Sequence, residues 1–212
     1  MKNKQEKIWS SDFGRNYTDR NVMTADELDE LYRKRYGVTR TELNKEFIGG
    51  MDRNIRILEV GANMGNQLVA LRKIGFKNLF GIELQFYPIK KSKTFGSDIP
   101  LLQASAFHLP FKDGAFDMIF TSTVLIHIAP EYLKVVMKEI CRCTKHYVCG
   151  LEYYNKKFKE INYRGKDELL WKGDYSKEYL KFCPDLQIVK EKKYKYLDSD
   201  EIDTMFLLVK RT

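Results

Sequence analysis

From Arg56 to Tyr153, short apolar runs alternate with amphipathic stretches, and this alternation restricts the possible folds more than any other feature. IRILEV, NLFGIEL, PLLQAS, FDMIFTSTV and KHYVCGLEY read as buried strands, being short, mostly apolar and rich in β-branched or aromatic residues. NQLVALRKIG, QFYPIKKSKTFG and EYLKVVMKEICRC read as helices; Gly75 closes the first, and Pro88 lies near the start of the second, where proline is tolerated. Strands alternating with helices build βαβ units and therefore a parallel sheet with helices on both faces.

The last segment breaks the alternation. LQIVKEKKYKYL and DTMFLLVKR are separated only by the acidic LDSDEID, which allows an antiparallel hairpin but not a parallel crossover. The expected fold is α/β and Rossmann-like, with a mostly parallel seven-stranded sheet ending in an antiparallel hairpin. Residues 1–50 read as an N-terminal helical segment and 51–212 as the core. In the former, Trp9, Phe13 and Tyr17 are four apart and would share one face of a helix. Thr24 and Glu27 form a capping box, Leu28, Leu31, Tyr32, Tyr36 and Leu43 mark the apolar side, and Gly49-Gly50 closes the segment. Residues 153–185 are aromatic and charged and read as an insertion at the carboxyl edge of the fifth strand, where ligands bind in open α/β sheets.

Composition narrows the class. The chain has 212 residues, 43% hydrophobic and 31% charged, with a net charge of +8, which suits a globular protein with an anionic partner. It contains neither a run long enough to span a membrane nor the apolar stretch of a signal peptide, so a cytoplasmic protein without membrane insertion is expected, as monomer or homodimer. Cys141, Cys143, Cys149 and Cys183 lack metal or redox spacing and are expected as reduced thiols; no metal is expected. The lysines fall in short clusters at 90–93, 156–159 and 190–195, which favours a solvated surface over an RNA footprint, though basicity keeps nucleic acid open as a partner.

The chemistry concentrates in ILEVGANMGNQ, residues 57–67. It joins a strand, a glycine turn and a helix start. Gly61 lets the chain turn sharply and a ligand approach the backbone, and Gly65 allows close helix–strand packing. The following helix offers unpaired N–H groups to an anion. Glu83 ends the second strand 18 residues after Gly65, where an acid can accept both hydroxyls of a ribose. Glu59 ends the first strand, and a carboxylate there suits a ligand with an ammonium group. NAD has none, whereas S-adenosylmethionine has one.

The order acid-x-Gly-x-x-x-Gly, an acid ending strand two, ASAFHLPF and FDMIFTSTVLIHI resembles class I S-adenosylmethionine-dependent methyltransferases over roughly residues 50–212. Asn63 replaces the usual middle glycine, and Ser105 stands at a commonly acidic position. FGRNYTDRN, LEVGANMGNQL, VLIHIAP and LEYYN followed by YRG resemble the pseudaminic acid biosynthesis-associated methylases, in which that asparagine and that serine are normal.

The resemblance implies S-adenosyl-L-methionine as cofactor, S-adenosyl-L-homocysteine as product, and a small anionic or sugar-derived metabolite as acceptor. Gly61, Ala62, Asn63, Gly65 and Asn66 would surround the methionine half with Glu59, and Glu83 would hold the ribose. Leu84 and Phe107 would sandwich the adenine, with Ser105, Ala106 and the Phe107 backbone at its amino group. Thr121 and Ser122 would lie near the methionyl portion, and Tyr17 and Arg20 would close over the cofactor, Arg20 on its carboxylate. His127, just past strand four, is the candidate general base or a structural histidine. Tyr153 and Arg164 are candidates for the chemistry beside it, and Glu152, Tyr154, Asn155 and Tyr163 for binding the acceptor. An RNA or protein methyltransferase, a non-catalytic cofactor-binding subunit and, last, an NAD enzyme are the competing readings.

Overall fold

The computed structural model describes residues 3–211. A seven-stranded sheet runs in the order β3-β2-β1-β4-β5-β9-β8. The chain divides after Ala106 into two compact units.

The first unit carries α1 (Lys4–Trp9), α2 (Asp12–Arg20), α3 (Ala25–Tyr36), α4 (Arg40–Ile48), β1 (Arg56–Val60), α5 (Asn66–Lys73), β2 (Asn78–Glu83), α6 (Phe86–Thr94) and β3 (Leu101–Gln103). β1 pairs in parallel with β2, and β2 with β3. Ile57, Leu58 and Val60 of β1 are fully buried, as a central parallel strand requires. Gly81 in β2 leaves room for its neighbours: a Cβ there would lie 2.6 Å from Leu101 Cδ2 and 2.7 Å from Ala62 Cβ.

One local expectation needs correction here. Trp9, Phe13 and Tyr17 do not share one helix, because the chain turns at Ser10 and Ser11 caps α2 through the Phe13 N–H. The aromatic contacts survive across the elbow: Trp9 meets Phe13 and Tyr17 edge-on, each with ring centroids 5.3 Å apart. Residues 24–48 are two helices. Gly37, left-handed at φ 78°, ends α3, and a second capping box, Thr39 with Glu42, starts α4. Asp29 of α3 holds the start of α4 by accepting from the Thr41 N–H at 2.8 Å and hydroxyl at 2.7 Å.

The second unit carries β4 (Phe116–Ser122), a 3-10 turn (Leu125–His127), α7 (Pro130–Cys143), β5 (Thr144–Tyr153), β6 (Lys159–Glu160), β7 (Trp171–Lys172), α8 (Tyr175–Phe182), β8 (Leu186–Lys195) and β9 (Ile202–Lys210). β4 and β5 are parallel, while β9 runs antiparallel to both β5 and β8. The hairpin is the one expected from the short acidic link. Its outer strand β8 carries Lys190, Lys192, Lys193 and Lys195, and charge along a sheet edge opposes pairing with another chain.

Arg142 fixes the loop before β4. Its guanidinium donates to Glu139, Asp113 and the carbonyls of Leu109 and Phe111, while Glu139 accepts the Leu109 N–H at 2.9 Å. The expectation of four reduced thiols is corrected: Cys141 of α7 and Cys183 after α8 form a disulfide, with Cα atoms 6.8 Å apart. Packing of α8 on α7 brings together cysteines 42 residues apart, which local spacing does not reveal. Cys143 and Cys149 are buried and lie outside that disulfide.

Candidate functional site

In the first unit, the turn after β1 alternates left-handed residues: Gly61 at φ 73°, Asn63 at φ 49° and Gly65 at φ 84°. Asparagine is among the few non-glycine residues that tolerate this region, so Asn63 can stand in a glycine's place. The Ala62 N–H donates to Ile82 O at 2.8 Å, which ties the turn to β2.

Glu83 organises this turn. One carboxylate oxygen accepts the Asn63 N–H at 2.9 Å, and the other accepts the Gln85 N–H at 3.0 Å. A carboxylate offers about four lone-pair positions, so both oxygens can still accept hydroxyls. Burial raises the Glu83 pKa, opposed by these backbone donors. Glu59, on neighbouring β1, is 2% exposed, and its Oε2 has no hydrogen-bond partner. Burial pushes its pKa well up; the Arg40 charge pulls the other way, and Glu83 adds repulsion.

The N-terminal helices bond directly to this turn and its surroundings. Asn63 donates through Nδ2 to the Thr18 hydroxyl at 3.1 Å, and Asn66 donates to Asn21 O at 3.2 Å. Gln85 donates to the carbonyls of Trp9 and Ser11, and the Ser105 hydroxyl donates to Glu6 at 2.6 Å. Tyr17 is half-buried against Trp9, whereas Arg20 is exposed on α2. Leu84 and Ala106 are half-buried, and Ala62 is buried.

The sequence reading missed Gln85, Glu6, Arg40 and Asn44. Arg40 and Asn44 stand one turn apart on α4, 2% and 1% exposed, with Arg40 Nε and Nη1 and Asn44 Nδ2 unpartnered. The Thr39–Glu42 capping box was the available signal, because it marks a helix start and places Arg40 at its first position.

In the second unit, Phe107 meets Tyr132 edge-on at 5.9 Å. Thr121 is buried and Ser122 half-buried at the end of β4. Glu152, 1% exposed near the end of β5, accepts the N–H groups of Val124 at 3.3 Å and Ile126 at 3.4 Å, and so holds the 3-10 turn. Burial raises its pKa to about 7. His127 ends that turn. Its Nδ1 lies 2.7 Å from Leu169 O, which makes Nδ1 the protonated nitrogen, and the Tyr163 ring centroid is 5.3 Å away. Burial lowers the His127 pKa to about 4.

Around the end of β5, Tyr153 and Tyr154 are half-buried, and Lys193 Nζ sits 3.8 Å from the Tyr154 ring centroid. Asn155 spends its Nδ2 on Lys157 O at 2.6 Å. Arg164 is exposed at φ 54°, in a turn closed by the Tyr163–Lys166 bridge.

Residues 58–147 match the family described as a methyltransferase domain. An uncharacterized protein of Haemophilus influenzae is 26% identical over 136 residues, covering 58% of this chain and 54% of that protein, so the chain spans about half the length of the curated relative it matches. Among solved structures, Burkholderia thailandensis 1,6-didemethyltoxoflavin-N1-methyltransferase, with bound 1,6-didemethyltoxoflavin and S-adenosylhomocysteine, is 14% identical with a TM-score of 0.71 over 97% of this chain and 88% of that one. A SAM-dependent methyltransferase from Methanosarcina mazei is 15% identical with a TM-score of 0.63, covering 76% and 95% of the two chains. The [4+2]-cyclase SpnF is also 15% identical, with a TM-score of 0.64 over 81% and 80%. These likenesses establish the fold. The residues present suit S-adenosylmethionine: Glu83 can accept from a ribose, and the orphaned Glu59 oxygen can meet an ammonium. The chain therefore has a Rossmann-like fold with a mostly parallel seven-stranded sheet, and its residues 58–147 are similar to a methyltransferase domain.

Proposed function

We propose that the protein transfers a methyl group from S-adenosylmethionine to a small anionic or sugar-derived metabolite, of nonulosonic-acid or surface-glycan type by the family resemblance. The observation carrying the cofactor half is the pair of acids ending adjacent strands, Glu59 and Glu83, around a turn of left-handed residues. The cationic groups around the end of β5, Arg164 and Lys193, support an anionic acceptor. Residues 1–50 act as a helical cap on the cofactor, and residues 51–212 are the core, with 153–185 as the acceptor-side insertion. The four ties from Thr18, Asn21, the Trp9–Ser11 elbow and Glu6 support the cap.

The sulfonium arrives activated, so the protein's part is alignment and proton removal. His127 fits the second task. With Nδ1–H donated to Leu169 O, the neutral ring carries its lone pair on Nε2. A pKa of about 4 makes it a weak base, suited to an acceptor that is already an amine or an anion rather than an unactivated hydroxyl. Protonation removes the base, so the transfer rate should stay level from about pH 6 to 8 and fall below about pH 5, and this acid limb should vanish in His127→Gln. A limb centred near the ordinary histidine value, or one unchanged by the substitution, would rule out this role.

The proposed acceptor class is tested with cofactor carrying a labelled methyl and a cell extract split into small-molecule, RNA and protein fractions. Label in the small-molecule fraction is the expected result. Label in RNA or protein would contradict it, as would no transfer by protein that binds the cofactor.

A further inference from the structure

The Cys141–Cys183 bridge closes one segment of the second unit on itself. Cys141 lies in the last turn of α7, and Cys183 follows α8, 42 residues further on. The chain between them is β5, residues 154–174 and α8. β5 is held in the sheet between β4 and β9. The other end of the segment is held by α8, which has eight residues, too few to persist in water on its own hydrogen bonds. Packing supports it: Tyr175 and Tyr179 are buried, the Tyr179 ring centroid is 5.9 Å from that of Phe206 in β9, and the Ser176 hydroxyl lies 2.9 Å from Glu191 of β8. The bridge adds a covalent tie to α7. The same segment also carries two contacts of His127. Leu169 O is 2.7 Å from its Nδ1, and the Tyr163 ring centroid is 5.3 Å from that of the imidazole. Two residues after Leu169, Trp171 O accepts the Tyr175 hydroxyl at 2.8 Å, which joins the start of α8 to the strand beside His127. A route of bonds therefore runs from Cys183 through α8, Tyr175 and Trp171 to Leu169 and the imidazole. The reduced state also has a place in the structure: Met137 O of α7 lies 3.8 Å from Cys183 Sγ, so a thiol there finds an acceptor.

We propose that the Cys141–Cys183 bridge is a redox-sensitive anchor for α8, whose reduction loosens α8 and the segment supporting His127 and so slows methyl transfer while cofactor binding is kept. The effect on transfer rests on the proposed role of His127; the loosening of α8 does not. The reductant is a dithiol. Its two thiols supply two electrons and two protons, the Sγ–Sγ bond breaks, both cysteines become thiols, and the reductant closes to its own disulfide. The bonds that fix the turn after β1, from the Asn63 and Gln85 N–H groups to Glu83, lie in the first unit and use no residue of the bridged segment.

The test compares air-oxidised wild type, wild type reduced with dithiothreitol, and Cys183→Ser, which cannot form the bridge. Hydrogen exchange read by mass spectrometry should be about tenfold faster over residues 161–182 in the reduced protein and in Cys183→Ser, with β4, β5 and β9 unchanged. Methyl transfer to the labelled fraction should slow about tenfold in both, and S-adenosylhomocysteine binding should stay within about threefold of the oxidised protein. Should Cys183→Ser not fold, wild type with and without dithiothreitol carries the same comparison. Alkylation that finds Cys141 and Cys183 as thiols in the air-oxidised protein overturns the proposal. So does a lower melting point with unaltered exchange in the folded protein, which would make the bridge a constraint on the unfolded chain alone. Faster exchange with an unchanged transfer rate overturns the redox control. Faster exchange in a protein that binds S-adenosylhomocysteine but transfers no methyl in either state overturns the proposed function, while the anchoring of α8 stands.

Discussion

Glu83→Ala should weaken S-adenosylhomocysteine binding by about 100-fold or more, the sum of two hydroxyl contacts to a charged acceptor at roughly 1.5–3 kcal/mol each. The side chain has one task in the structure and a second under the proposed function. It accepts the Asn63 and Gln85 N–H groups, which fixes the turn, and under the proposed function its remaining lone pairs would accept from the ribose. Alanine loses both. Glu83→Gln keeps one acceptor oxygen and should cost only about tenfold. Because β2 lies between β1 and β3 in the sheet, the fold should survive either change, and circular dichroism should show unaltered secondary structure. Binding within about threefold of wild type in Glu83→Ala would remove the ribose role.

Gly14→Ala should detach the N-terminal cap. A Cβ at Gly14 would lie 2.1 Å from Trp9 O and 2.8 Å from Gln85 Nε2. The first of these is backbone, so no rotamer change relieves it, and Trp9 O also accepts from Gln85. The helices α1 and α2 must then separate, at a cost of about 1–3 kcal/mol for the overpacked elbow together with the bonds of Gln85 and Ser105. The expected result is faster proteolysis within residues 3–21 and S-adenosylhomocysteine binding weaker by about tenfold, with the melting of the remaining chain little changed. Rapid proteolysis with unchanged affinity would show that the N-terminal helices do not act on the cofactor.

The strand–helix alternation and the glycine turn were legible because each depends on residues close in sequence. IRILEV, NLFGIEL and FDMIFTSTV each became a strand, and the acidic LDSDEID link became the hairpin turn. What escaped depends on tertiary contact or on small local breaks. The period of four in Trp9, Phe13 and Tyr17 suggested one helix, but Ser11 supplies a cap that competes with continuing it. The Cys141–Cys183 bridge needs α7 packed on α8. The Gly37 break and the Thr39 cap make Arg40 the first residue of a separate helix, with its side chain buried, a burial that local sequence does not mark. Gln85 and Glu6 act through partners 74 or more residues away, a distance no local pattern spans.

The most direct measurement is a calorimetric titration of the wild-type protein with S-adenosylhomocysteine and, in parallel, with NAD. Saturable binding of S-adenosylhomocysteine at one site per chain, with no heat from NAD, is the expected result. Binding of NAD, or no binding of S-adenosylhomocysteine, would contradict the assignment of Glu59, Glu83 and the turn between β1 and α5 to an S-adenosylmethionine site.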